Sequence, residues 1–113
     1  MRSKIVALSR NEEFKKLIKK KKVSNKYVTI FFGQLDGKNN NKLNISFVTK
    51  KKIGNAVKRN KIKRRLRNIM NDAVKTISIK FDFSYLVICK SSVLHSEYAN
   101  IKETLFQEFN RIK

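Results

Sequence analysis

The sequence predicts an α+β fold in which helices cover a small mixed sheet, with elements in the order α-β-β-α-β-α. Segments 26–34 and 43–49 are rich in the β-branched and aromatic residues typical of strands. Segments 62–77 and 98–112 instead carry apolar residues at helical spacing. A length of 113 residues favours one domain, which we expect to span residues 1–113.

The first helix is predicted to follow an extended arm formed by residues 1–10. Asn11 can cap this helix, and Phe14 begins its apolar stripe. We expect the four lysines at 19–22 to close the helix, since positive charge is favourable at a helix C-terminus.

The two strand segments are predicted to pair as a hairpin across the polar turn 36–42. Alternation in the first strand places one uniformly apolar face toward the core: Val28, Ile30 and Phe32. Tyr27 and Phe31 then share the opposite face, together with Ser46 of the second strand. Aromatic rings on such a face could stack with the bases of a single-stranded nucleic acid.

A long helix is expected to open at Gly54-Asn55 and to run to about Thr76. The apolar run "SYLVICK" at 84–90 predicts a buried central strand. A last helix is expected to start between Ser92 and Ser96.

The charge balance points to a polyanionic partner. The formal net charge is +20, from 28 Lys or Arg against 8 Asp or Glu. Ten of the basic residues lie between Lys50 and Arg67, a stretch without an acid. Nucleic acid is therefore the first partner to consider, and an anionic membrane surface is the second.

The basic residues of the long helix are not equivalent. At about 100° per residue, five side chains share one arc beside the apolar stripe: Arg59, Asn60, Lys63, Arg64 and Arg67. We call these five residues the ridge. Lys61 and Arg65 fall on the other flank of the stripe. Arginines in a fixed row suit bidentate contacts with phosphates, and lysines supply point charge.

Two alternatives compete with nucleic-acid binding by this helix. The first is a merely solvated surface, but positive charge at Lys58 and Arg59 opposes the helix dipole. That opposition costs roughly 0.3–1 kcal/mol per charge at low salt, which stability alone would not select. The second is an interfacial membrane helix, whose apolar face must be free to enter lipid. Here the apolar face has the spacing of a core-packed helix, so we expect no membrane contact.

Candidate catalytic groups are scarce. The eight acids form no motif, His95 is the only histidine, and Cys89 sits in the apolar strand. A nuclease acting alone would need an acid cluster, a histidine pair or a metal site. The N-terminal apolar segment is too short for a secretory signal, and a single cysteine fits a reducing compartment, so we expect a cytoplasmic protein.

Several motifs resemble the protein subunit of bacterial ribonuclease P. The resemblance rests on Lys51-Lys52-Ile53-Gly54-Asn55-Ala56-Val57, then Arg59-Asn60-Lys61, then Lys63-Arg64. "LSRNEEFKKL" at 8–17 and "SYLVICK" are similar to the first helix and the central strand of that family. The resemblance implies a ribonuclease P protein-like fold with a left-handed β-α-β crossover, although general rules favour the right-handed one.

In that family, the resemblance implies, a catalytic RNA and this small protein together remove the 5′ leader of precursor tRNA by endonucleolytic cleavage. The RNA carries the chemistry, so no catalytic residue and no metal ligand is assigned to the chain. Mg²⁺ is expected in the holoenzyme, held mainly by RNA. The implied contacts with the catalytic RNA are Arg59, Asn60, Lys61, Lys63, Arg64 and Arg67, with Arg65 and Lys52 as further candidates. The implied leader contacts are Phe14, Tyr27, Phe31 and Ser46.

Two positions depart from the family pattern. Ile18 stands where a second aromatic is common in the first helix, and Lys90-Ser91 replaces a frequent Arg-Pro. A ribosomal or nucleoid protein using the same ridge remains the runner-up, and a self-sufficient RNA nuclease is the third interpretation.

Overall fold

In the part of the chain that the structure describes, five strands form one mixed sheet and four helices pack on its two faces. The computed structural model describes residues 5–8, 12–38 and 41–112. The strands are β1 (Ile5–Val6), β2 (Lys21–Ser24), β3 (Val28–Gly33), β4 (Leu43–Thr49) and β5 (Ser84–Cys89). The helices are α1 (Glu12–Leu17), α2 (Ala56–Thr76), α3 (Ser92–His95) and α4 (Tyr98–Arg111). The α+β class predicted from the sequence is confirmed.

The strand order is β1-β4-β5-β3-β2. β4 runs parallel to β1 and β5, whereas β3 runs antiparallel to β2 and β5. The predicted hairpin between β3 and β4 is therefore wrong, because β5 lies between them. The reason is burial: β5 is apolar enough to be covered on both faces, so it takes the centre of the sheet. α2 connects the parallel neighbours β4 and β5, and the hand of this crossover stays a prediction.

Both ends of the predicted first helix differ from expectation. Asn11 lies outside the described residues, and α1 ends at Leu17. Lys21–Ser24 leave the helix and pair with β3, with Lys22 opposite Phe31. Main-chain pairing with an existing strand thus outweighs the favourable charge of these lysines at a helix end. Within the predicted arm, Ile5–Val6 pair with β4 as a short strand.

The last helix is divided in two. α3 ends at His95, and Ser96 is extended before α4 begins. The predicted apolar stripe of the longer part is confirmed, since Ile101, Leu105 and Phe109 are buried.

α2 and α4 cover one face of the sheet and build the main core. The ring of Tyr85 lies 5.2 Å from that of Phe109, and its hydroxyl donates to the Lys80 carbonyl at 2.8 Å. The predicted core face of β3 is confirmed: Val28, Ile30 and Phe32 are buried. α1 covers the other face with a smaller cluster around Leu17 and Leu86. This second cover is incomplete, and it leaves the sheet accessible beside β4.

Candidate nucleic-acid interface

A capped start fixes the basic helix on the sheet. The Oδ1 atom of Asn55 accepts a hydrogen bond from the Lys58 amide at 3.0 Å, which satisfies one of the free donors of the first turn. Gly54 precedes it with φ of +157°, and a Cβ there would lie 2.9 Å from Lys58 Cδ. This position therefore favours glycine. Gly54-Asn55 start the helix as the sequence predicted.

The ridge lies beside the buried stripe of α2, as the angular argument predicted. Ile62, Leu66, Ile69, Met70 and Ala73 are buried on the stripe itself. Asn60, Arg64 and Arg67 are exposed, whereas Arg59 and Lys63 are half-buried at the border. The Arg59 Nε atom is buried and has no hydrogen-bond partner among the described residues.

Beneath the ridge lies the single thiol of the chain. Burial raises the pKa of Cys89 to about 12, although the nearby Lys63 ammonium acts in the opposite direction. The thiol is therefore neutral at ordinary pH and behaves as a small apolar group. Lys63 thus sits close enough to the sheet to influence a buried group while remaining partly open to solvent.

The opposite flank of α2 has another role. Arg65 Nη1 donates to the carbonyls of Val93 at 3.0 Å and Ser96 at 3.2 Å. These carbonyls belong to the end of α3, so Arg65 ties α2 to the junction between α3 and α4. The side chain is half-buried and its Nη1 atom is used within the protein, which argues against the expected contact of Arg65 with RNA. Lys61 is exposed on this flank and has no partner of this kind among the described residues.

Lys52 lies in a 3₁₀ turn just before α2 and is exposed. With Lys50 and Lys90 it surrounds a depression of about 420 Å³ next to Thr29 and Ile88. Lys52 therefore contributes charge near the start of α2.

A groove of about 610 Å³ runs between α1 and α2 along β4. Lys63 and Arg67 of the ridge form one wall, and Phe14 of α1 stands on the other. Residues 45–49 of β4 form its floor, where the Ser46 hydroxyl accepts a hydrogen bond from the Leu8 amide at 2.9 Å. The groove therefore combines two cations, an aromatic ring and a hydroxyl whose own proton can still be donated.

The structure brings only part of the predicted leader surface into this groove. Phe14 and Ser46 line it, but Phe31 does not, since Phe31 and Ser46 both pair with Leu86 and are separated by β5. Phe31 is half-buried within the cluster under α1.

The predicted stacking role of Tyr27 is wrong. Its side chain is only 2 % exposed and belongs to the main core, so it offers no stacking surface. The cause is a local turn: Asn25 Oδ1 accepts from the amides of Tyr27 and Val28, at 2.8 and 3.0 Å. The chain turns just before β3, and the alternation of the strand does not extend to Tyr27.

Sequence reasoning missed several residues of the groove, among them Leu8 and Thr49. Thr49 lies at the end of β4, where its Oγ1 is buried without a hydrogen-bond partner among the described residues. Strand alternation places Thr49 toward α2, which could have suggested a role next to the ridge. Leu8 carries no such signal, since its position depends on the pairing of β1 with β4.

Two kinds of feature are absent from the described residues. Across residues 5–8, 12–38 and 41–112, no three His, Cys, Asp or Glu side chains come together as a possible metal site. In the same part of the chain, no helix is both long and apolar enough to cross a membrane.

Comparisons with known proteins agree on one family. The family model described as Ribonuclease P matches residues 3–113. The ribonuclease P protein component of Bacillus pumilus is 33% identical over 105 residues, covering 92% of this chain and 85% of the relative. That of Mycoplasma mycoides is 32% identical over 106 residues, covering 94% of both.

The fold is similar to solved structures as well. The structure of the RNase P protein from Thermotoga maritima superimposes with a TM-score of 0.79 at 25% identity, covering 96% of this chain and 98% of that one.

Proposed function

This chain belongs to the ribonuclease P protein family, and on that premise we propose a division of labour between its two surfaces. The ridge on α2 binds the catalytic RNA, and the groove beside it holds the 5′ leader of precursor tRNA. As a member of the family, the chain is the accessory subunit of an endoribonuclease that matures tRNA, and the RNA subunit carries the catalysis. The protein side chains contribute RNA binding.

The observation that carries this proposal is the groove itself. Lys63 and Arg67 face Phe14 across β4, so phosphates and bases of one strand could be contacted at once. Stacking of a base on an aromatic ring contributes roughly 1–3 kcal/mol and tolerates any sequence. Leaders differ among precursor tRNAs, so a contact that tolerates any sequence suits this substrate.

Two exposed members of the ridge, Asn60 and Arg64, do not line the groove and can meet a second RNA surface. Arg64 and Asn60 are exposed, and Arg59 is half-buried beside them. Arginine donors match phosphate oxygens in pairs, and the Asn60 amide can donate and accept at a ribose or base edge. The catalytic RNA is the partner we assign to this side, and Lys52 extends the same charge toward the start of α2.

Mg²⁺ belongs on the RNA in this proposal. The described part of the chain has no cluster of ligands to offer it, and RNA phosphates are suitable oxygen ligands for a hard cation. We place the assembly in the cytoplasm, in keeping with the neutral, unpaired thiol of Cys89.

The test is reconstitution at low Mg²⁺ with bacterial ribonuclease P RNA and a precursor tRNA. Leader removal should require both components. Phe14→Leu keeps apolar packing but removes the ring, so it should raise KM for precursors with a leader while leaving affinity for the catalytic RNA unchanged. Phe106→Leu, a half-buried aromatic on α4, is the matched control. Cleavage by the protein alone, or equal effects of the two substitutions, would contradict the proposal.

A further inference from the structure

A second cationic surface lies at the sheet edge formed by β2, away from the groove. We call it the lysine edge and define it by Lys19, Lys20, Lys21, Lys22 and Lys26. All five side chains are exposed, and none forms a salt bridge with an acid among the described residues. Between residues 14 and 35 the sequence contains no acid at all. The repulsion among these charges is therefore uncompensated within the fold.

The backbone beneath the lysine edge is held firmly. β2 pairs with β3 along its whole length, from Lys21 opposite Phe32 to Ser24 opposite Thr29. The stem of Lys20 crosses Gly33 so closely that a Cβ there would lie 2.3 Å from Lys20 Cδ. The lysines therefore project from a fixed backbone, so binding costs less conformational entropy.

The turn that carries Lys26 is braced from three sides. Ser92 Oγ donates to the Lys26 carbonyl at 2.5 Å, and Lys90 Nζ donates to the Asn25 carbonyl. The Asn25 side chain also donates to Glu108 at 3.2 Å. This bracing holds the Lys26 backbone beyond one end of β2, and the Lys26 ammonium lies 5.3 Å from the centre of the Tyr27 ring. Lys19 and Lys20 lie beyond the other end of β2.

Protection of an edge strand against aggregation explains only part of this pattern. Lysine on an edge strand prevents pairing with another chain, and Lys21 and Lys22 alone would serve that purpose. Lys19, Lys20 and Lys26 lie outside the strand, where no free strand edge needs protection. The charge therefore extends beyond what edge protection requires.

We propose that the lysine edge binds the phosphate backbone of a double-helical segment of the catalytic RNA, so that the protein contacts that RNA on two separate sides. The proposal rests on the proposed function, since it assumes the same RNA partner. Two observations favour a helical backbone as the ligand. The surface contains lysine and no arginine, which suits phosphates but not paired contacts with base edges. Duplex RNA presents mainly phosphates and 2′-hydroxyls, because its deep groove hides the bases.

The position of α1 favours the catalytic RNA over the leader. α1 packs across β3 and β5, between the groove and β2. β2 also lies three strand spacings from β4, or about 14 Å. A single strand lying in the groove is thus separated from the lysine edge by a helix, and a different RNA segment is needed to reach it.

The test uses the full chain with three charges removed at the edge: Lys19→Gln, Lys21→Gln and Lys22→Gln. Lys20 is kept because its stem packs on Gly33. The matched control removes three exposed charges elsewhere: Lys75→Gln, Lys80→Gln and Arg111→Gln. A third variant, with arginine at the three edge positions, keeps the charge and reports any effect of altered packing.

Affinity for bacterial ribonuclease P RNA, without precursor tRNA, is measured as a function of salt. Each lost phosphate contact should reduce the slope of log K against log salt by roughly 0.7–0.9, so the edge variant should lose roughly two units. At 0.1 M salt this corresponds to binding weaker by on the order of tenfold or more. The control and the arginine variant should retain the parent slope.

Three results would overturn the proposal. In the first, the edge variant matches the control. In the second, the loss appears only with precursors carrying a long leader, which would assign the lysine edge to the leader. In the third, affinity for RNA is unchanged but binding to anionic vesicles is lost. Arg59→Ala with Arg64→Ala is measured in parallel. If that ridge variant loses affinity while the edge variant does not, only this inference fails, and the proposed function stands.

Discussion

The two flanks of α2 are both positively charged, but their side chains have different roles. On one flank, Lys63 and Arg67 open onto the groove, and the Arg59 Nε atom has no partner among the described residues. On the other flank, Arg65 is tied to the end of α3 through two carbonyls. The comparison teaches that the neighbours of an arginine in a basic helix decide whether its side chain is free to bind RNA or stabilises the fold. Charge alone does not distinguish the two roles.

Within α2, the largest effect on RNA binding is expected on the ridge. Arg59→Ala with Arg64→Ala should reduce the salt-dependence slope of binding to the catalytic RNA by roughly 0.7–0.9 for each lost contact. Lys75→Ala with Arg111→Ala removes two exposed charges outside the ridge and is the control. Filter binding across a salt series measures both. Equal losses in the two variants would mean that the ridge has no special role.

For Arg65 we expect a smaller effect, which acts on the stability of the fold. Arg65→Ala leaves the Val93 and Ser96 carbonyls without this donor, which should lower the free energy of unfolding by about 1–3 kcal/mol. Urea denaturation measures the loss. Well below the unfolding transition, affinity for the catalytic RNA should stay close to that of the parent. A large loss of affinity without a loss of stability would return Arg65 to the RNA surface.

The smallest visible change is expected at Cys89. Because burial raises the pKa of this thiol to about 12, little thiolate exists in the folded protein at pH 8. Alkylation should therefore be very slow until the protein unfolds. The raised pKa stabilises the folded state below the usual thiol pKa, and this contribution should fade as pH rises from about 9 toward 12. Rapid labelling of the native chain at pH 8 would show that α2 does not cover the thiol.

Local patterns predicted the elements well. The strand at 43–49 and the helix from the Asn55 cap to Thr76 have the predicted limits. The ridge also followed from sequence, because helical spacing fixes which side chains share a face, whatever the helix packs against. The resemblance through Lys51–Val57 and Arg59-Asn60-Lys61 then indicated the family, which the comparisons confirmed.

By itself, then, the sequence determined the main elements, which are β3, β4, β5, α2 and α4, and which face of α2 carries the ridge. Only the tertiary structure decided that β5 separates β3 from β4, that Tyr27 turns into the core, and that Arg65 braces α3. The physical reason is the distance along the sequence over which each feature is determined. Periodicity depends on neighbours along the chain, whereas strand order and hydrogen-bond partners depend on residues far apart in sequence. Competition for burial among those distant residues placed β5 at the centre and opened the groove beside β4.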